Sequence, residues 1–207
     1  ITVTTVQIYD SRKDSWELTT PLPQPINHGI AAAINGKVYI IGGQTTASGN
    51  LEEAGYLDTV FEYAPNTAMW TPRATMPTKR SAGAAVVIGD KIYVAGGRPP
   101  RGNDFAVYDT RENKWTALPD LPTQRNHLIA AAIGGKVYVV GGRFGGGFNS
   151  EVTNVLEAYD PATNVWTIKT PMPTLRGGIN GIAVNGCFYV WGGEGNNNHP
   201  LGLFDEV

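Results

Sequence analysis

One short pattern, an apolar run that ends in two glycines, occurs four times in the sequence and limits the possible folds more than any other feature. The four copies are KVYIIGG at 37–43, KIYVAGG at 91–97, KVYVVGG at 136–142 and CFYVWGG at 187–193. Each glycine pair follows a tryptophan by 26 residues, and each of these tryptophans follows a tyrosine by seven. The pairs are Tyr9–Trp16, Tyr63–Trp70, Tyr108–Trp115 and Tyr159–Trp166. Two constant spacings in four copies identify a repeat protein.

Each repeat is predicted to contain four short strands. The first is apolar and rich in alanine, as in GIAAAI at 29–34, and a two-residue turn such as Asn35-Gly36 joins it to the run before the glycines. Such pairs accept the positive φ angles of a tight hairpin between twisted strands. The third strand ends at the tyrosine and the fourth carries the tryptophan. Four antiparallel strands in 45 to 54 residues, without helical periodicity, predict an all-β protein built from β-propeller blades.

The same residues resemble the kelch repeat. The glycine pair, the tyrosine and the tryptophan at these distances carry the resemblance, together with YDPATNVW at 159–166 and MPTKR at 76–80. The resemblance covers essentially the whole chain and implies a kelch β-propeller of six or seven blades. Because kelch propellers have many different functions, the fold alone does not imply one of them.

The repeats divide the chain into five parts of one propeller segment. Three full blades are expected at 28–71, 82–116 and 127–168, with partial blades at 1–19 and 178–207. In the last part, LGLFDEV at 201–207 is expected to match the strand that ends in Tyr-Asp, with Phe204 in the place of the tyrosine. We expect an incomplete segment of a six-bladed ring; the alternative is an open arc completed by another chain, because unpaired blade edges favour association.

Composition excludes some classes of partner. The formal net charge of −2 provides no overall attraction to nucleic acid or to an anionic membrane surface, and no apolar run of 18 residues is present. A single cysteine rules out a framework of disulfide bonds within the chain. We therefore expect no nucleic-acid partner and no membrane partner.

Recurring arginines are the main candidates for a binding site. Arg80, Arg125 and Arg176 each lie ten residues after the repeat tryptophan, where the first repeat has Ile26. Arg98 and Arg143 directly follow a glycine pair. Both sets are expected on one rim of the propeller, beside variable loops that are the usual place for binding. Guanidinium groups suit carboxylates and phosphates, so an anionic partner is predicted. The alternative is that Arg80, Arg125 and Arg176 bond loop carbonyls between blades.

In kelch substrate adaptors that recruit acidic peptides, arginines at the position of Arg80, Arg125 and Arg176 line the binding cup. The resemblance therefore supports these three residues as ligand contacts, although Ile26 interrupts the set.

Histidines provide the remaining candidate groups. His28 and His127 occupy equivalent positions two residues after the arginine site, and His199 lies in a loop at the same rim. His127 is included in the predicted binding site. The spacing of the three histidines is not typical of a metal site, and neither a metal nor another cofactor is expected.

The predicted function is a binding module for a protein, an acidic peptide or an acidic carbohydrate, without catalytic residues. Two alternatives stay open. One is a carbohydrate-modifying kelch enzyme of the sialic-acid epimerase or galactose-oxidase type, for which Glu194 with His127 or His28 would be the acid–base candidates. The other is a structural assembly module that associates with itself through open blade edges.

Overall fold

A computed structural model describes residues 2–45, 55–98, 101–144, 151–195 and 202–204. Within these ranges the chain forms sixteen strands and no helix. The strands are β1 (Val6–Asp10), β2 (Ser15–Thr19), β3 (Ile30–Ile34), β4 (Lys37–Ile41), β5 (Val60–Ala64), β6 (Met69–Arg73), β7 (Ala84–Ile88), β8 (Lys91–Ala95), β9 (Phe105–Asp109), β10 (Lys114–Ala117), β11 (Ile129–Ile133), β12 (Lys136–Val140), β13 (Leu156–Asp160), β14 (Val165–Lys169), β15 (Asn180–Val184) and β16 (Cys187–Trp191).

The strands form three four-stranded antiparallel sheets and two two-stranded sheets. The four-stranded sheets are β3–β6, β7–β10 and β11–β14, and the strand pairs are β1–β2 and β15–β16. Within each sheet the strands follow the order of the chain. The first strands β3, β7, β11 and β15 contact one another in series, so the sheets are arranged around a common centre. The prediction of an all-β fold made of four-stranded antiparallel blades is confirmed.

The repeat aromatic residues pack within and between blades. Tyr63, Tyr108 and Tyr159 lie directly opposite the tryptophan of the next strand and are at most 4% exposed. The indole nitrogens of Trp70, Trp115 and Trp166 donate to backbone oxygens of the preceding blade connection, at Thr20, Ala74 and Pro119, over 2.8–2.9 Å. These aromatic residues are therefore part of the scaffold. Two buried apolar clusters fill the spaces between the three four-stranded sheets.

The first glycine of the pairs at 42, 96 and 141 allows a close contact between blades. Gly96 has φ +63°, and a Cβ atom placed there would lie 2.6 Å from the carbonyl oxygen of Arg125. Gly42 has φ +58°, and its Cβ would lie 2.5 Å from the carbonyl oxygen of Arg80. A side chain would need both a strained backbone and a displaced connection. These glycines are therefore structural.

The end of the chain lies earlier in its blade than the sequence predicts. Phe204 donates its N–H to the carbonyl oxygen of Gly193, just as Leu57 does to Gly43 and Thr153 does to Gly142. Leu57 and Thr153 each precede the repeat tyrosine of their blade by six residues. The alignment of Phe204 with that tyrosine is therefore wrong. The likeness of LFD to VYD is confined to three residues, whereas the backbone hydrogen bond to Gly193 defines where Phe204 lies in its blade.

The described part of the chain has no helix that is long and apolar enough to cross a membrane.

Candidate functional site

Three of the predicted binding residues are buried in the blade connections. Arg80 and Arg125 are 1% exposed and Arg176 is 6% exposed. Arg80 donates to the carbonyl oxygens of Val94 (3.2 Å) and Asp104 (2.9 Å). Its own backbone N–H and C=O bond Leu57 and Gly43 of the preceding blade. Each such arginine therefore joins one blade to the next.

Arg125 makes the most extensive of these connections. It donates to the carbonyl oxygens of Val155 (2.7 Å) and Gly141 (3.3 Å), and it forms an ion pair with Glu157 in which both side chains are fully buried. Burial lowers the pKa of Arg125, and the charge of Glu157 opposes that shift. Thr123 adds a hydrogen bond of 2.6 Å to Glu157. Such a network positions the connection between two blades.

In this structure Arg80, Arg125 and Arg176 thus bond carbonyl oxygens between blades, which was the alternative to a role in ligand binding. Arg176 donates to the carbonyl oxygen of Gly192 (3.1 Å) and stacks its guanidinium 4.1 Å from the ring centre of Phe204. Direct contact of these three side chains with a ligand stays a prediction, and it would require each guanidinium to leave its buried partners.

The other predicted residues, Arg98, Arg143 and His127, meet near the centre of the molecule, together with His28. Arg98 follows β8, Arg143 follows β12, and His28 and His127 precede β3 and β11. The rings of His28 and His127 lie 5.4 Å apart in an edge-on arrangement, although they belong to blades that are not neighbours. We call Arg98, Arg143, His28 and His127 the central cluster.

Backbone geometry brings the two histidines together. His28, Ala82, His127 and Gly178 each lie twelve residues after the repeat tryptophan and have φ angles of +50° to +60°. The N–H of each donates to the carbonyl oxygen of the preceding one, over 3.0, 2.8 and 2.9 Å. This series of bonds links the inner ends of four blades. The left-handed backbone of His28 and His127 is held by these contacts.

Hydrogen bonds fix the protonation of both imidazoles. Nδ1 of His28 lies 2.7 Å from Oδ1 of Asn27, and Nδ1 of His127 lies 2.5 Å from Oδ1 of Asn126. Because an amide oxygen only accepts, each Nδ1 carries a hydrogen, and because a guanidinium only donates, each Nε2 presents a lone pair to the arginine beside it. Arg98 Nη2 lies 3.4 Å from both Nε2 atoms. The two histidines are therefore neutral acceptors for an arginine.

Arg143 completes the central cluster from the other side. Its Nη2 lies 3.2 Å from Nε2 of His127, and its Nη1 pairs with the carboxylate of Glu194. Arg98 instead donates 2.6 Å to Oε1 of Gln44 and has no carboxylate partner within the described residues. The side chain of Arg143 is 12% exposed. The central cluster thus holds two guanidinium groups and one paired carboxylate.

Burial and the two neighbouring guanidinium groups both disfavour a charged imidazole at the central cluster. Burial, followed by the charges of Arg98 and Arg143, lowers the pKa of His28. Burial, followed by the charges of Arg143 and Arg98, lowers the pKa of His127 to about 3. A third cation is disfavoured here, whereas an anion would be attracted. This local potential contrasts with the net negative charge of the chain.

Sequence reasoning omitted some members of this site. The predicted binding set does not include His28 or the asparagines Asn27 and Asn126 that bond the two imidazoles. The sequence contains a signal for them, because an Asn-His dipeptide lies eleven residues after two of the repeat tryptophans, at 27–28 and 126–127. The residue after each glycine pair is Gln44, Arg98, Arg143 or Glu194, and all four carry polar groups that face the centre.

Other predicted candidates receive less support from the geometry. His199 and most residues of the variable loops lie outside the described part of the chain. Among the described residues no group of three or more His, Cys, Asp or Glu side chains could hold a metal ion. Glu194 and His127, the acid–base candidates of the enzyme alternative, both bond the guanidinium of Arg143.

Comparison with known families gives a match over most of the chain. A family model described as the KLHDC2/KLHL20/DRC7 Kelch-repeats domain matches residues 27–205. The "Kelch-like protein terF" of Aspergillus terreus is 31% identical over 218 residues, which cover 100% of this chain and 47% of that protein. "Kelch-like protein 23" of Homo sapiens is 31% identical over 91% of this chain and 32% of that protein. The chain thus spans less than half the length of these relatives.

Two further similarities extend the comparison. "Beta-scruin" of Limulus polyphemus is 27% identical over 90% of this chain and 21% of that protein. The solved structure described as "Structure of YjhT" superposes with a TM-score of 0.75 at 17% identity, over 93% of this chain and 66% of that one. At this identity the structural match supports the fold alone.

Proposed function

This chain belongs to the kelch-repeat family, and on that premise we propose that it is a protein-interaction module that binds an anionic group of its partner at the central cluster. The kelch-like relatives support a role in protein interaction. One observation carries the choice of surface: Arg98 and Arg143, from two different blades, converge on the same nitrogen of His127.

The chemistry of this pair suits a carboxylate or phosphate group. Each guanidinium keeps N–H groups beyond those that bond the cluster, since a guanidinium has five. Arg98 has a neutral amide, and not a carboxylate, as its strongest described partner, so its charge is not locally compensated. An anion that approaches Arg98 and Arg143 together can accept from both forks. An acidic peptide and a sugar acid share this chemistry.

The neutral state of His28 and His127 also supports the binding of an anion by Arg98 and Arg143. If His28 or His127 were cationic, Arg98 and Arg143 would repel it and the pair would separate. Because both Nε2 atoms accept, they hold the guanidinium groups side by side before a ligand arrives. Preorganisation of this kind reduces the cost of ordering side chains on binding.

The experiment compares two double variants that remove the same charge. Arg98→Gln/Arg143→Gln changes the central cluster, and Arg12→Gln/Arg111→Gln changes two exposed turn residues, which are 89% and 75% exposed. The probe is a fluorescein-labelled octaglutamate peptide, followed by fluorescence anisotropy at low salt, with octaglutamine as the uncharged reference. We expect the central double variant to weaken octaglutamate binding by about tenfold or more, while the turn variant changes it by about twofold or less.

Equal weakening by both double variants would mean that only net charge matters, and the proposal would be rejected. It would also be rejected if the parent chain bound octaglutamine as tightly as octaglutamate. Glucuronic acid added as a competitor separates the two ligand sources, since displacement of the peptide by the sugar acid would favour an acidic carbohydrate.

A further inference from the structure

A tyrosine hydroxyl beside the central cluster is buried without a hydrogen bond. Among the described residues, the hydroxyl oxygen of Tyr56 is a buried side-chain atom that has no hydrogen-bond partner. Nearly all buried polar groups of folded proteins are paired, because a buried donor without an acceptor has lost its bonds to water and gained none. The hydroxyl of Tyr56 is therefore expected to have a partner that is not part of the described chain.

Backbone pairing fixes the direction in which this tyrosine points. Tyr56 lies directly opposite Gln44 in an isolated antiparallel bridge. Directly opposite residues of antiparallel strands place their side chains on the same side of the strand pair. The side chain of Gln44 accepts from Nη1 of Arg98 over 2.6 Å. The side chain of Tyr56 therefore lies on the side that faces the central cluster.

The equivalent position in two other blades is apolar. Val152 lies opposite Arg143, and Leu203 lies opposite Glu194, in bridges that correspond to the bridge of Tyr56. The backbone pairing therefore does not need a hydroxyl group at this position. What distinguishes Tyr56 from its two equivalents is a polar atom placed beside the central cluster.

Three acceptors next to Arg98 already bond other donors. Oε1 of Gln44 accepts from Oγ of Ser81 over 2.8 Å and from Nη1 of Arg98 over 2.6 Å. An amide oxygen has two lone pairs, so these two bonds use both of them. The Nε2 atoms of His28 and His127 each face Nη2 of Arg98. These three acceptors are therefore engaged, and a guanidinium offers no acceptor of its own.

The charge of Arg98 acts on the hydroxyl of Tyr56. Burial raises the pKa of Tyr56 above its ordinary value of 10.0, and the charge of Arg98 opposes this shift without cancelling it. Burial likewise lowers the pKa of Arg98, and Tyr56 opposes that shift. Charges act in this way on groups that lie close together. Because the raised pKa keeps the hydroxyl protonated near neutral pH, Tyr56 and Arg98 are two neighbouring hydrogen-bond donors.

We propose that Tyr56 is a further ligand-binding residue of the central cluster and donates its hydroxyl hydrogen to the anion that Arg98 binds. This role rests on the proposed function, and it adds the requirement that the anion accept from two kinds of donor. A carboxylate group has enough lone pairs to accept from a guanidinium N–H and from a phenolic O–H together. The bound carboxylate then supplies the acceptor that the buried hydroxyl lacks.

Removal of this hydroxyl should affect binding and stability in different ways. In Tyr56→Phe the anion loses one donor, so the affinity falls. The same variant removes a buried donor that has no partner, so the unliganded protein loses no hydrogen bond. A purely structural hydroxyl would behave in the opposite way, because its removal would lower the stability and leave the affinity unchanged. Weaker binding without reduced thermal stability therefore identifies a ligand contact.

The experiment measures octaglutamate binding by fluorescence anisotropy, and thermal unfolding without the peptide, for each variant. Tyr56→Phe should weaken octaglutamate binding about fivefold or more, because a hydrogen bond to a charged group is lost. Its Tm should equal that of the parent or be higher by up to about 4 °C.

The matched control is Tyr108→Phe, which removes a hydroxyl that has a partner. Tyr108 donates 2.7 Å to Oδ1 of Asn113 in the turn between β9 and β10. We expect this control to lower the Tm by about 2 to 4 °C and to change octaglutamate binding by less than about twofold.

The role of Tyr56 is overturned if Tyr56→Phe binds octaglutamate within about twofold of the parent. It is also overturned if Tyr56→Phe lowers the Tm as much as Tyr108→Phe does, since the hydroxyl would then have a partner in the unliganded protein.

The Arg98→Gln/Arg143→Gln variant is measured in the same series and separates this proposal from the proposed function. If the arginine variant loses affinity and Tyr56→Phe does not, the binding function stands and only the role of Tyr56 is rejected. If the arginine variant keeps the affinity of the parent, the proposed function is rejected and the role of Tyr56 with it.

Discussion

Removal of the buried guanidinium of Arg125 is expected to destabilise the protein strongly. Arg125→Met keeps most of the side-chain volume but leaves Glu157, which is fully buried, without its ion-pair partner. Thr123 remains as a donor to Glu157. Breaking a buried ion pair on one side costs about 3 to 5 kcal/mol, because the remaining charge is desolvated and uncompensated. The carbonyl oxygens of Val155 and Gly141 lose a donor as well. We therefore expect a loss of about 4 kcal/mol in the free energy of unfolding.

A double variant separates the uncompensated charge from the loss of packing. Arg125→Met/Glu157→Met removes both charges, so its loss should be smaller than that of Arg125→Met by about 2 kcal/mol. The control is Arg111→Met, whose ion pair with Asp90 is largely exposed, and we expect it to cost less than about 1 kcal/mol. Urea unfolding followed by circular dichroism and tryptophan fluorescence gives the free energy for each variant.

One result would refute this reasoning about Arg125. If Arg125→Met left the free energy of unfolding within about 1 kcal/mol of the parent and instead weakened octaglutamate binding, the guanidinium would have to be available to a ligand. The buried role that the structure gives to Arg125 would then be incorrect, and the rim predicted from the sequence would be supported.

Two further predictions concern a glycine and a buried carboxylate. Gly96→Ala should cost about 2 kcal/mol more than Gly134→Ala in urea unfolding, because both have positive φ but only the Cβ at 96 meets a backbone oxygen at 2.6 Å; equal costs would mean that strain alone explains the glycine. Burial would raise the pKa of Glu62, but bonds from Arg73, Lys37 and Tyr39 outweigh it and hold the pKa at about 2. This value lies below the unfolded value of about 4.3, so the contribution, of the order of 3 kcal/mol, is full above that value and is lost as the pH falls towards 2. Thermal unfolding of Glu62→Gln should therefore depend less on acid pH than that of the parent, and parallel curves for the two would contradict the assignment.

Much of the fold was predictable because its signals are local. The tyrosine-to-tryptophan spacing of seven residues follows from two strands that meet at a tight turn, and in the structure each tyrosine lies directly opposite its tryptophan. Turn pairs such as Asn35-Gly36, with φ +52° and +72°, specify hairpins from the backbone freedom of two residues. Phe204 shows the limit of such signals, because a three-residue likeness carried no information about its position in the blade.

The sequence by itself determined the repeat, its four strands and the residues that could carry charge to the inner ends of the blades. Only the tertiary structure decided which of these charges is available. Arg80 and Arg98 both lie in loops beside the strands of their repeat. Arg80 is 1% exposed and bonds carbonyl oxygens, whereas Arg98 is only partly buried and lies against two histidines. The physical reason is that the environment of a side chain depends on the neighbouring blade. Strand periodicity and turn chemistry act within a few residues, but burial, hydrogen-bond partners and local potential arise from contacts between blades that are distant in the chain.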